Sequence, residues 1–215
     1  MTTYAVTGAT GKLGRLVLDE LLEQTDATNI VALARDPSAL QAYDQKGVQV
    51  RKADYDDPAS LTAALQGVDR VLLISGNAVG QRERQHGAIY GAAGEGKLST
   101  ATRADLAAGA VGALLKSPGG RTYELAGNHP WTMQEFAEEV SRQAGKPVQY
   151  VNQSESDYAK TLEGAGLPQP VATLLASTSY LAGHGELYSE STDLRDLAGR
   201  PSTPIGETIA QALKA

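Results

Sequence analysis

One stretch near the start of the chain, Thr7-Gly8-Ala9-Thr10-Gly11-Lys12-Leu13-Gly14, restricts the fold more than any other. It follows the apolar run Tyr4-Ala5-Val6 and leads into Leu13, Leu16, Val17 and Leu21, which share one face of a helix. Strand, glycine-rich turn and helix, in that order, open a dinucleotide-binding unit. The three glycines have separate tasks: a tight turn, room for a pyrophosphate against the backbone, and close packing of helix on strand. The helix then turns its leading N–H groups and positive dipole end toward the phosphates. A glycine turn that binds nothing is the alternative, and the downstream rhythm argues against it.

That rhythm is an alternation of strands and helices. The first helix is expected over 12–24. Ile30-Val31-Ala32-Leu33-Ala34 is continuously apolar, as a parallel strand covered on both faces should be. Arg35-Asp36-Pro37 ends it. A short helix over 38–46, with Gly47 beyond it, precedes a third strand from Val48 to Ala53. Asp57-Pro58 then supplies an N-cap and a first-position proline for a helix over 58–66. A fourth strand runs from Asp69 to Ser75 around Val71-Leu72-Leu73-Ile74. Such regular alternation predicts an α/β fold with a doubly wound, parallel, Rossmann-type sheet.

The rhythm breaks over 76–100, which is polar or glycine-rich, and no fifth strand–helix unit appears. Ala88-Ile89-Tyr90 reads as a brief strand and 94–97 as a turn. Thr102 caps a helix over about 103–116. Arg121 to Ala126 alternates apolar and polar, as a half-buried strand does. The remainder predicts a small, mostly helical C-terminal lobe. Thr132 and Glu135 form a capping box for a helix to Ala144, followed by Gly145. Val148 to Val151 reads as a strand, and Ser154 with Asp157 opens a helix over about 155–164. Residues 168–190 are ambiguous, and Thr203-Pro204 starts a last helix to Ala212. The expected division is a dinucleotide-binding half-domain over 1–86, then a remaining sheet strand and a substrate lobe over 87–215.

Composition narrows the partners. Nineteen basic against 25 acidic residues give a net charge of -6 without a basic patch, so neither nucleic acid nor a membrane surface is an expected partner. The chain has no cysteine, which excludes disulfides and thiolate chemistry. No apolar run is long enough to span a bilayer. A soluble, cytoplasmic protein is expected.

Arg35 is the most informative single side chain. It stands at the end of the second strand, where the adenosine ribose of a dinucleotide lies. A guanidinium there suits the 2′-phosphate of NADP, whereas an acid suits the 2′-OH of NAD. Asp36 could take the second role. Lys12 opposes the helix dipole unless an anion binds, or it points into water. Asp54-Tyr55 and Ile74-Ser75 end strands three and four, on the edge where open α/β sheets bind ligands. Asp54 could accept from an adenine amino group, Tyr55 could cover the ring and Ile74 could wall the pocket; a structural role at a strand end is the alternative for each. Paired carboxylates at Asp56-Asp57 read as capping, because Pro58 follows. His86, His129 and His184 have no zinc-site spacing. Trp131 reads as a hydrophobic staple at a helix start.

Several runs now coincide with a known pattern. They are Thr7-Gly8-Ala9-Thr10-Gly11-x-Leu13-Gly14, Ala34-Arg35-Asp36-Pro37, the run from Ala53 to Leu61, and the run from Ala64 to Ile74. Together they resemble the NmrA-like atypical short-chain dehydrogenases. Gly91 to Ala107, Tyr123-Glu124-Leu125-Ala126-Gly127 and Trp131-Thr132-Met133 are similar to the NADPH-dependent quinone oxidoreductase (type 2) branch of that family. The resemblance implies NADPH as cofactor, held at Gly8, Thr10, Gly11, Lys12, Leu13, Gly14, Arg35, Asp54, Ile74 and Ser75, and a small quinone-like substrate. It also implies an internal deletion after His86, where members continue with two more strand–helix units around the nicotinamide.

No tyrosine among the nine is followed four residues later by lysine, so the usual proton-donating pair of short-chain dehydrogenases is absent and no catalytic residue is assigned. Hydride transfer to a quinone does not demand that pair. Two functions stay open: an NADPH-dependent quinone oxidoreductase, or a non-catalytic dinucleotide-binding protein that lacks the catalytic segment. The lost strands would leave strand four as an apolar edge. Either Arg121–Ala126 covers it, the favoured outcome, or the chain self-associates there.

Overall fold

The computed structural model describes residues 2–74 and 87–214. They fall into two compact units. The first gathers residues 2–74, Arg103–Leu125 and Asp193–Arg200; the second holds residues 87–102, Ala126–Thr192 and Pro201 onward.

In the first unit, strands β1 (Tyr4–Val6), β2 (Ile30–Ala34), β3 (Gln49–Lys52) and β4 (Arg70–Leu72) form a parallel sheet in the order β3-β2-β1-β4. Helix α1 (Lys12–Gln24) follows β1, a 3₁₀ turn (Pro37–Leu40) and the short α2 (Gln41–Asp44) follow β2, and α3 (Pro58–Ala64) follows β3. Alternation along β2 sorts its side chains onto two faces. Ile30, Ala32 and Ala34 pack with Val17, Leu18 and Leu21 of α1; Val31 and Leu33 pack with Ala5 and Ala64 on the other face. Both faces are buried, so β2 has no polar position, as its apolar run requires. Helix α4 (Arg103–Lys116) adds Ala107, Val111 and Leu114 to the α1 side of the core. Pro58 and Asp57 act as expected: the Asp57 carboxylate accepts from the N–H groups of Ala59 and Ser60 at 3.1 and 3.2 Å.

Two strand expectations need correction. Strand four is shorter than Asp69–Ser75. Beyond Leu72 the N–H of Ile74 donates to the Thr7 hydroxyl at 2.8 Å, so a side chain stands where the ladder would continue. Arg121–Ala126 forms no strand and covers no edge. The N–H of Glu124 donates to the Asp193 carboxylate at 3.0 Å, and the Arg121 guanidinium pairs with the same carboxylate at 2.8 Å. The apolar–polar alternation there reflects a segment with Tyr123 and Leu125 half-buried and Glu124 exposed, held by a side chain rather than a neighbouring strand.

In the second unit, β5 (Ala88–Gly91) pairs in parallel with β8 (Gln149–Asn152), and β6 (Lys97–Leu98) pairs antiparallel with β7 (Trp131–Thr132). Helices α5 (Met133–Ala144), α6 (Glu155–Gly164), α7 (Gln169–Gly183) and a last helix, Ile205–Lys214, complete it. The capping box is present: Thr132 Oγ1 accepts from the Glu135 N–H at 3.2 Å, and the Glu135 carboxylate accepts from the Thr132 N–H at 2.7 Å. Trp131 sits 5.3 Å, ring centre to ring centre, from Phe136, which is the staple expected before that helix. Gly145 ends α5 in the left-handed conformation. Residues 168–190, ambiguous in sequence, hold α7. Among the described residues no helix is long and apolar enough to cross a membrane.

Candidate functional site

The first unit carries a cleft of about 940 Å³ at the carboxyl ends of its strands, a size suited to a small-molecule ligand. Gly8, Thr10, Gly11, Lys12, Leu13, Gly14, Arg35, Asp54 and Ile74 all line it. Nine of the ten residues expected to hold a cofactor therefore meet in one place, although they come from four stretches of chain. Ser75, the tenth, lies outside the described residues, as does His86.

The turn is built from two glycines with clear physical reasons. Gly8 has φ +59°, a conformation unfavourable for residues with a Cβ. A Cβ on Gly14 would lie 2.3 Å from the Gly8 carbonyl oxygen, so only glycine lets α1 start that close to the strand end. Gly11 is the N-cap of α1 and offers no side-chain acceptor, and the first turn has no acidic residue. The leading N–H groups of an α-helix have no acceptor within the helix, so here they face the cleft without a carboxylate in competition. Arg15 braces the turn. Its guanidinium donates to the carbonyls of Thr10 at 3.2 Å and Ala39 at 3.0 Å, which ties the glycine turn to the segment following β2.

Strand ends supply the rest. Thr7 is a hub: its hydroxyl accepts from Ile74 N–H at 2.8 Å and lies 2.7 Å from the Tyr55 hydroxyl, which also comes within 3.1 Å of the Ile74 carbonyl. Tyr55 thus joins the ends of β1, β3 and β4 through its hydroxyl while its ring lines the cleft. Asp36 is occupied elsewhere. Its carboxylate accepts from the Ser38 hydroxyl at 2.7 Å and N–H at 3.0 Å, and those bonds hold its pKa below the ordinary aspartate value. Arg35, not Asp36, lines the cleft.

Among the polar residues of the cleft, sequence reasoning missed Thr7, Asp56 and Arg103. Thr7 and Asp56 sit beside assigned positions, so adjacency was the available signal. Arg103 had none, because only tertiary packing brings the start of α4 to this edge. The acids Asp54 and Asp56 and the cations Lys12, Arg35 and Arg103 give the cleft both signs of charge. Among the described residues no group of three or more His, Asp or Glu side chains is placed to hold a metal ion.

The second unit has a smaller hollow of about 280 Å³, lined by Ala93, Asn152, Tyr180 and His184 among others. Its polar groups are largely engaged. Asn152 Oδ1 accepts from the Gly94 N–H at 2.9 Å and the Tyr150 hydroxyl at 3.1 Å, and His184 Nδ1 lies 2.8 Å from the Tyr180 carbonyl.

A glycine turn, a helix N-terminus and strand ends around one cleft match a known family in sequence. The NAD(P)H-binding family matches residues 8–160. Quinone oxidoreductase 2 of Escherichia coli is 34% identical across 96% of this chain and 97% of its own length. The chain belongs to the NAD(P)H-binding family. The crystal structure of the E. coli NADPH-dependent quinone oxidoreductase complexed with NADPH superposes with a TM-score of 0.91 at 34% identity, covering 98% of this chain and all of that one. A triphenylmethane reductase from Citrobacter complexed with NADP(H) gives 0.87 at 29% identity, again over 98% of this chain. The alignment with the E. coli enzyme spans 277 positions, against 215 residues here, so that relative carries internal sequence without a counterpart in this chain. The fold is accordingly the Rossmann-type α/β sheet expected, in a shortened form.

Proposed function

We propose that the first-unit cleft binds NADPH and that the protein is an oxidoreductase acting on a small quinone-type acceptor. One observation carries the proposal: nine residues assigned from sequence line a single cleft in a chain of the NAD(P)H-binding family. The residues fit the cofactor. The first-turn N–H groups of α1 would take the pyrophosphate, which can approach closely because Gly11 at the N-cap presents no side chain. Arg35 would pair with the 2′-phosphate, Asp54 would accept from the adenine amino group, and Ile74 would wall the adenosine. Bound there, NADPH supplies a hydride. The protein's own part is to bind, orient and exclude water. The relatives that support this reading include a quinone oxidoreductase and a triphenylmethane reductase, both solved with the phosphorylated cofactor.

A second reading is a dinucleotide-binding protein without turnover, and the length of the chain favours it. The relative's extra internal sequence has no counterpart here. One experiment separates the two. NADPH binding is measured by calorimetry and NADPH oxidation is followed with a simple quinone present. Binding with turnover well below about 1 per second, the low end of ordinary enzymes, is the expected result. Turnover within the ordinary range would establish a complete site; no binding would refute both readings. A cytoplasmic location and self-association through the β4 edge belong to the same proposal.

A further inference from the structure

The NADPH reading gives Arg103, a cation of the cleft, no task. Arg103 is the first residue of α4 and lines the same cleft as the glycine turn. The fold explains how it gets there. Arg70, which begins β4, donates to the Leu114 carbonyl in the last turn of α4. A helix of this length extends about 20 Å. Its last turn lies at the amino end of β4, so its first residue reaches the carboxyl edge of the sheet. Helix α4 shares a core with α1, through Ala107, Val111 and Leu114 against Val17, Leu18 and Leu21. The sheet order β3-β2-β1-β4 then sets two cations on opposite flanks of the turn. Arg35 approaches from the β2 side and Arg103 from the β4 side.

Electrostatics makes the placement informative. A cation in the first turn of a helix opposes the helix dipole. The acid of that turn, Asp105, is fully buried and pairs with Arg200. None of the ion pairs among the described residues includes Arg103. In a doubly wound sheet a dinucleotide crosses the point where strand order reverses, here between β1 and β4. With a 2′-phosphate at β2 and a pyrophosphate at the α1 start, the other half of a bound dinucleotide would extend toward β4.

We propose that Arg103 contacts the phosphate on the nicotinamide side of the bound dinucleotide. The proposal rests on the NADPH reading of the cleft. It makes Arg103 a binding residue for NADPH and NADH alike, whereas Arg35 distinguishes them.

The test is equilibrium titration of the full chain with NADPH, NADH and adenosine 2′,5′-bisphosphate, which keeps the 2′-phosphate but lacks the second phosphate of the bridge. Arg103→Ala should weaken both dinucleotides by the same factor, about 10- to 150-fold for a lost charge-assisted contact, and leave the bisphosphate nearly unchanged. Arg103→Lys keeps a point charge but not the planar fork, so its loss should be smaller and of the same pattern. That variant carries the test if the alanine variant folds poorly, with thermal melting as the check. Wild-type binding that neither variant alters overturns the role of Arg103 and leaves the cofactor reading standing. Equal weakening of all three ligands also overturns it, since the contact would then lie on the adenosine side. A wild-type chain that binds neither dinucleotide overturns both.

Discussion

At the scale of single residues, the cleft separates two kinds of information. Arg35 lines it, and Asp36, its neighbour, is committed to Ser38. A charge-assisted bond is worth about 1.5–3 kcal/mol, so Arg35→Ala should weaken NADPH binding about 10- to 150-fold and barely change NADH binding. Equal loss for both cofactors would refute the assignment to the 2′-phosphate. Gly14 is a second test. An alanine methyl there would meet the Gly8 carbonyl oxygen at 2.3 Å and the Ala9 Cα at 2.8 Å, both backbone atoms that cannot rotate away. Gly14→Ala should cost about 1–3 kcal/mol, the usual range for overpacking, despite alanine's better helix propensity. Urea denaturation measures it, and an unchanged midpoint would mean the helix start can shift outward cheaply. These residues were legible because a tight turn is decided by neighbours within a few positions. Thr7 was not, since its value lies in a hydroxyl that meets Ile74 and Tyr55 from distant parts of the sequence.

At the scale of elements, capping chemistry was readable and alanine packing was not. Asp57, Ser154 and the Thr132–Glu135 box all sit where their side chains accept backbone N–H groups. Helix α7 shows the opposite case. Its buried residues include Ala172, Ala176 and Ala182, while Leu174 and Leu181 face outward. The large apolar side chains mark the wrong stripe, so periodicity had nothing to find. Helix α5 offers a pH test. The Glu139 carboxylate accepts from Arg142 and from Gln143, whose amide also donates to the Gly206 carbonyl at 2.8 Å in the last helix. Those bonds lower the Glu139 pKa from 4.5 to about 2. A depressed carboxyl pKa stabilises the fold above the unfolded value and loses that effect as pH falls through the folded one. The melting temperature of Glu139→Gln should therefore lie below wild type near neutral pH, and the gap should close between pH 4.5 and about 2. A gap independent of pH would show that the contribution comes from packing rather than from the charge.

At the scale of the whole molecule, the four strands themselves were legible because each is short and is followed by a glycine turn or a capped segment. What lies beyond β4 was not legible in the same way. The expected cover, Arg121–Ala126, is held by Asp193 instead. The two edges of the sheet now differ in chemistry. Strand β3 ends the sheet with Gln49, Arg51 and Lys52, and charged side chains on an edge discourage pairing. Strand β4 ends it with Val71, which is 44% exposed, and continues into Leu73, 69% exposed. Among the described residues no strand pairs with its outer side. An edge with unpaired backbone groups and apolar side chains recruits another chain, and two copies related by a two-fold axis can pair β4 with β4 antiparallel. Light scattering over a concentration series should show mass rising with concentration. Leu73→Lys should abolish the rise without lowering the melting temperature, because the side chain already faces solvent and the change alters only the edge. A wild-type chain that stays monomeric throughout, melts cooperatively and binds no apolar dye would mean the shortened sheet closes by itself.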